Sequence, residues 1–247
     1  MIQANCRTRF TADDFGFIVE ALARDKRNKA ALTELLTDEE VRDQVLDDEA
    51  LLNRLLSEQG LSKISPYLYF YLLTRRAFLQ NRIDDRELSD YVACMLAEFC
   101  SAKRAHTISP AHQKTYDYLV DLMIDSLASS SSEAFLLRSH LGNYALFVSG
   151  IFPDAVYRKA TYGRRAPGFE YYEEMGRTSY RWAAQHRLAV KYNLVRVLDE
   201  LARRFHQVRL ALNTLADKYL VLHTKPDLDT FLRQIFFGKT GPESLET

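Results

Sequence analysis

The chain has 247 residues, 47% hydrophobic and 27% charged, with 33 lysines plus arginines against 33 aspartates plus glutamates. A neutral total argues against a protein built as a whole to coat nucleic acid or an anionic membrane, and the apolar share argues against general disorder. Three cysteines, Cys6, Cys94 and Cys100, have no metal-ligand spacing and read as reduced thiols of a cytoplasmic protein.

Residues 1–10 lack the apolar run of a signal peptide. The most apolar stretch, 67–73, is too short to span a bilayer as a helix. No membrane association is therefore expected.

Apolar residues recur at helical spacing almost throughout. Phe15, Ile18, Val19 and Leu22 form one stripe, Leu88, Tyr91, Val92, Met95, Leu96 and Phe99 a second, and Tyr116, Leu119, Val120, Met123, Ile124 and Leu127 a third. Each turns one helix face to a core. Helices are predicted over 11–24, 28–36, 38–58, 66–80, 85–103, 110–128, 133–151, 154–161, 169–186, 189–222 and 228–237. Start signals accompany them. Thr37 with Glu40 has capping-box spacing, as does Asp84 with Glu87. Ser65-Pro66 and Ser109-Pro110 place a hydroxyl before a proline at the first helical position. The serine run 129–132 makes a polar turn that caps the next helix. Asp227 opens the last helix and Gly238 can close it. The aromatics of 67–73 would also suit a strand, but no second strand-like run exists to pair with it.

The strongest regularity is C-terminal. Leu194, Leu198, Leu201, Phe205, Val208, Leu212, Leu215, Tyr219 and Leu222 are spaced alternately four and three apart, without proline or glycine between. That is a heptad seam. A continuous helix over 189–222 would be about 50 Å long. Phe205 and Tyr219 in the seam, and the flanking Val195, Val197, Leu220 and Val221, suit a helix covered on several sides better than one strand of a coiled coil. The fold expected is all-α, a multi-helix bundle organised around this long C-terminal helix. A small acidic lobe over 1–62 would pack on a main bundle over 63–247, or the two would form one continuous domain.

Charge is unevenly placed. Residues 11–60 hold 6 basic and 13 acidic side chains, 6 − 13 = −7, and residues 157–209 hold 12 basic and 5 acidic ones, 12 − 5 = +7. The two segments could face each other or lie on separate surfaces, and the basic one could meet an anionic partner. Within it, Gly163, Arg164, Arg165, Pro167 and Gly168 lead into a helix start, where free N–H groups and arginines could hold an anion over 163–168. The pattern lacks the Gly-Lys-Ser/Thr ending of a phosphate-binding loop.

Two helices carry the remaining polar candidates. His140, Asn143 and Tyr144 lie in the first. Tyr172, Arg177, Tyr180 and Arg181 lie in the second, where Gly176 would let another chain segment approach closely and Glu173 and Arg177 can pair at i, i+4. No di-iron, zinc-protease, nucleophile-elbow or kinase motif occurs, and neither metal nor cofactor is expected. These observations rank three readings. The first is a non-enzymatic binding or scaffolding module with a protein partner or self-association as a homodimer. The second is an enzyme or small-ligand binder with its site between the 133–151 and 169–186 helices. The third, nucleic-acid binding through Arg158, Lys159, Arg164, Arg165, Arg181 and Arg187, is placed last by the neutral total.

Overall fold

The computed structural model describes residues 2–23, 25–57, 64–99, 130–162 and 167–220. The helices expected over 110–128 and 228–237 lie outside these residues, as do Ser109-Pro110, Asp227 and Gly238. Among the described residues every regular element is helical and no strand occurs. After a 3-10 turn, Arg7–Arg9, come α1 (Ala12–Leu22), α2 (Lys26–Leu35), α3 (Glu39–Leu46), α4 (Glu49–Ser57), α5 (Pro66–Gln80) and α6 (Arg86–Phe99). They are followed by α7 (Ser131–Ile151), α8 (Pro153–Tyr162), α9 (Phe169–Ala184), the short α10 (Arg187–Lys191) and α11 (Val195–Leu215), which runs into a π-helical turn, Ala216–Leu220. None of these helices is long and apolar enough to cross a membrane.

Local chemistry sets the helix starts, in places one residue from where the spacing suggests. Ser65 caps α5, accepting from Leu68 N, with Pro66 at the first position. Ser130 caps α7. Thr11 and Asp14 form a capping box on α1. The box predicted at Thr37 is not made. Asp38 accepts from Val41 N instead, while the Thr37 hydroxyl donates back to Glu34 O. Likewise Asp85, not Asp84, accepts from Leu88 N at the head of α6. A carboxylate at the cap position itself reaches the exposed N–H groups with the shortest side chain, so the neighbouring Thr37 and Asp84 are released. Asp14, wholly buried, also accepts from the backbone N–H and hydroxyl of Ser65, tying α1 to α5.

The predicted helix over 38–58 is two helices. Asp47 ends α3 and Asp48 accepts from Ala50 N to start α4. The long C-terminal helix is present but begins at Val195. Asn193 takes a left-handed backbone (φ 54°), with Asn193 N donating to Val190 O and Leu194 N to Ala189 O. This is the Schellman end of α10, and it separates 187–191 from the spine. The same closure ends α5, where Arg82 has φ 58° and Ile83 N donates to Phe78 O. Within α11 the dihedrals of Arg204 leave the helical range and kink it. The seam survives the kink. Leu194, Leu198, Leu201, Phe205, Val208, Leu212, Leu215 and Tyr219 are all buried, while Leu222 lies outside the described residues.

α11 is the spine because four helices pack on it: α5, α6, α7 and α9. Three contacts around it are made at glycine. An added Cβ at Gly176 would stand 2.2 Å from the Phe205 ring, at Gly150 2.8 Å from Leu212, and at Gly142 2.7 Å from the Tyr180 ring. What approaches Gly176 is thus a buried ring of α11. Removing a side chain there allows close-packed density with no methyl in the way.

The acidic N-terminal helices are held by arginines. Arg75, with a side chain 3% exposed, pairs with Asp47 at 2.9 Å and Asp84 at 2.6 Å. Arg86 reaches Asp47 at 2.7 Å, Arg76 reaches Glu49 at 2.7 Å, and Arg7 pairs with both Asp43 and Asp90. On the basic side, Arg196 binds Asp85 and Glu87 across to α6. Arg209 is buried, lies 4.6 Å over the Phe169 ring, and binds Glu173 at 2.7 Å and Asn213 at 2.9 Å. Asn213 in turn donates to the carbonyls of Ser149 and Gly150, closing a polar strap over α7, α9 and α11. Glu173, half-buried, is spent on Arg209 and His206 rather than on the expected i, i+4 pair with Arg177. The strap holds its carboxyl below the usual range although its partial burial acts the other way.

Candidate interaction site

The candidates between α7 and α9 separate into core and surface. Asn143 is buried, and its Oδ1 accepts from Tyr180 OH at 2.8 Å and Tyr91 OH at 3.0 Å. Both tyrosines are fully enclosed, and burial pushes both hydroxyls well above their usual value. The three groups satisfy one another inside the bundle, a polar core cluster fastening α6, α7 and α9. His140 is buried against Phe99 and beside Tyr144. Tyr144 and Tyr172 are half-buried and flank the small cluster of Leu137 and Leu141. Arg177 is half-buried, with Nε enclosed and meeting no acceptor among the described residues. Arg181 is exposed. Arg164 and Arg165 lie outside the described residues. These side chains do not line one concavity. A shallow depression of about 10 Å³ at the α4–α5 junction is lined instead by Asp47, Glu49, Arg75 and Arg76, already ion-paired. No cluster of three or more histidines, cysteines or carboxylates suited to a metal is found among the described residues.

A different surface is assembled where the chain leaves α9, forms α10 and turns into α11. Trp182 stacks on His186 at 5.4 Å, His186 on Phe135 at 5.2 Å, and Phe135 on Tyr192 at 6.4 Å. The Arg138 guanidinium stands 5.7 Å from the Trp182 ring and the Lys191 ammonium 5.6 Å from the Tyr192 ring. Spacing of four puts His186 after Trp182 just past the end of α9, and the Asn193 turn brings Tyr192 back beside them. Phe135, wholly buried, anchors the row to α7. Outward from this row, Trp182 is 37% exposed, Tyr192 37%, Val195 40% and Val190 72%. Leu35, Tyr157 and Leu210, the other large apolar side chains this exposed among the described residues, are scattered elsewhere.

The surface is cationic. Between Met175 and Leu198 the sequence contains Arg177, Arg181, Arg187, Lys191 and Arg196 and no acidic residue. Only Arg196 of these is ion-paired among the described residues. Arg138 also has no carboxylate partner among them, and partial burial lowers its affinity for a proton.

Ser131 and His186 face each other, Oγ to Nε2, at 2.7 Å. This resembles half of a nucleophilic dyad, but the tautomer is wrong for one. His186 Nδ1 accepts the Leu188 N–H at 3.2 Å as cap of α10, so in the neutral ring Nε2 carries the proton and donates it to Ser131. A general base needs its bare nitrogen on the hydroxyl. The pair holds α7 to α10 and does not activate the serine.

Sequence reading found the cations of this surface but missed the aromatic row. Trp182, His186 and Tyr192 lie on two helices and a turn, and the partner that organises them, Phe135, is nearly fifty residues upstream. Asn193 was the available signal, because asparagine tolerates the left-handed backbone that ends a helix. The fold and this surface define an all-α bundle with an exposed aromatic and cationic face. Comparison with protein-family models, curated proteins and solved structures finds no match.

Proposed function

We propose that this protein is a non-enzymatic helical binding module that engages an acidic partner protein through Trp182, Val190, Lys191, Tyr192 and Val195, with Arg138, Arg181 and Arg187 around them. One observation carries the reading. The exposed large apolar side chains gather where unpaired cations gather, over a row of stacked rings. Exposed aromatics clustered in this way mark interaction surfaces. Tryptophan, tyrosine and arginine are the residues that most often dominate binding energy. Surrounding cations favour an acidic counterpart and raise its rate of encounter. The polar groups between α7 and α9 lend less support to catalysis, since Asn143, Tyr91 and Tyr180 are consumed by one another.

Trp182 is the only tryptophan and so reports on its own surface. Titration with an amphipathic peptide rich in glutamate and leucine should shift its fluorescence saturably, and added salt should weaken the effect. Arg187→Glu combined with Lys191→Glu should abolish the shift while leaving the circular dichroism unchanged. No response at low salt, or an equal response in the charge-reversed variant, would refute the reading. Tighter binding of a single-stranded oligonucleotide in the same assay would also overturn it, in favour of a nucleic-acid partner.

A further inference from the structure

Cys6 and Cys94 are far apart in sequence and meet inside the protein. Cys6 precedes the Arg7–Arg9 turn and is wholly buried, with Sγ 3.3 Å from the Tyr67 carbonyl oxygen. Cys94, on α6, is 1% exposed, with Sγ 3.5 Å from Asn5 Oδ1. The two thiols are in hydrogen-bonding contact with each other. The Arg9 guanidinium, anchored on Glu98 at 2.8 Å and Tyr67 OH at 2.7 Å, adds positive charge nearby. Both sulfurs are free thiols, and no cation is needed to explain their meeting.

We propose that Cys6 and Cys94 form an oxidisable dithiol that hydrogen peroxide converts to an intrachain disulfide, fastening the segment before α1 to α6. The contact with Cys6, and then the charge of Arg9, hold the Cys94 thiol below its usual value, whereas burial and the adjoining Cys94 hold Cys6 above it. Cys94 is therefore the attacking sulfur and Cys6 the resolving one. The Cys94 thiolate attacks one peroxide oxygen, the O–O bond breaks, and the departing hydroxide takes up a proton to become water. Cys94 is left as a sulfenic acid. The Cys6 sulfur then attacks the Cys94 sulfur, the S–O bond breaks, and hydroxide leaves with the Cys6 proton as a second water. Two thiols lose two electrons, and one peroxide is reduced to two waters. Peroxide is small enough to reach enclosed sulfurs through brief local opening of the chain end.

The test uses the full chain, treated with graded hydrogen peroxide, alkylated in denaturant and mapped by peptide mass spectrometry. A Cys6–Cys94 cross-linked peptide should accumulate as the main product, reverting with dithiothreitol. The oxidised protein should melt at a higher temperature than the reduced one, because the bond closes a long loop of the unfolded chain. Cys6→Ser should remove that rise. Recovery of Cys6 fully alkylated after oxidation would overturn the proposal, as would a cross-link joining Cys94 to Cys100 in its place. Should Cys6→Ser fold poorly, the peptide map of the unaltered chain decides alone.

Discussion

Gly176→Ala puts a methyl group where the Phe205 ring already stands. The added Cβ would lie 2.2 Å from Cε2 and 2.4 Å from Cζ, against the 3.4 Å at which ordinary contact begins. One of the two must therefore move by more than an ångström. Phe205 is wholly buried, touches Tyr180 at 6.1 Å between ring centres, and directly follows the kink at Arg204. It has little room to withdraw. Overpacking of this kind costs about 3 kcal/mol at the upper end of its range. Alanine recovers about 1 kcal/mol of helix propensity over glycine. The net is a loss of about 2 kcal/mol, or roughly 4–8 °C in melting temperature for a chain of this size. Gly16→Ala in α1 is the matched control. Nothing lies within 4 Å of its added Cβ, so the propensity gain stands alone and stability should rise by about 0.5–1 kcal/mol. Urea unfolding followed by far-ultraviolet circular dichroism reads both, as shifts of midpoint at constant slope. The clash predicts coupling as well. In a Phe205→Leu background the Gly176→Ala loss should shrink. A Gly176→Ala midpoint equal to or above that of the unaltered chain would refute the packing argument, as would strict additivity with Phe205→Leu.

Three further outcomes are expected. Asn143→Leu leaves the buried hydroxyls of Tyr91 and Tyr180 without their shared acceptor and should cost about 3 kcal/mol, while Tyr91→Phe alone should cost about 1 kcal/mol in the same unfolding assay because Asn143 keeps Tyr180. Partial burial raises the Asp47 carboxyl, but hydrogen bonds and charges from Arg75 and Arg86 outweigh it and bring the group below its usual 3.8. Its contribution is thus present above that pH and lost as pH falls through the lowered folded value. Asp47→Asn should therefore cost about 2 kcal/mol at neutral pH, and the gap from the unaltered chain should close in acid unfolding curves. Burial, then the charge of Arg187, holds the His186 imidazole below its usual 6.5. Its stabilising effect is full above 6.5 and drains away as pH falls below it, so imidazole resonances should titrate with a midpoint under 6.5 and Trp182 fluorescence should follow the same curve; a midpoint at or above 6.5 would contradict the stacked, neutral ring.

Helical class and spine were legible in the sequence because both depend on short-range repetition. The seam from Leu194 to Tyr219 needs only a spacing of four and three to mark one buried stripe, and every one of its described members is buried. Capping was legible to within one residue, since Thr37 and Asp38 offer equivalent oxygens and only the entry angle of the chain selects between them. The ends at Asn193 and Arg82 escaped notice because neither is glycine. An asparagine or arginine takes a left-handed backbone only where the 6→1 and 5→2 hydrogen bonds compensate for it.

The sequence by itself determined that the chain forms helices, which face of each is apolar, and that the stretch from Met175 to Leu198 is cationic without any acid. These are properties of neighbours along the chain, set by side-chain periodicity and backbone sterics. Only the tertiary structure decided that Phe205 fills the space of Gly176, that Cys6 meets Cys94, that Asn143 is shared by two tyrosines, and that Phe135 aligns Trp182, His186 and Tyr192 at one surface. Each joins residues on separate elements. Such meetings depend on how whole helices pack at contact distance, and the energy of that packing is not written in the spacing of any single segment.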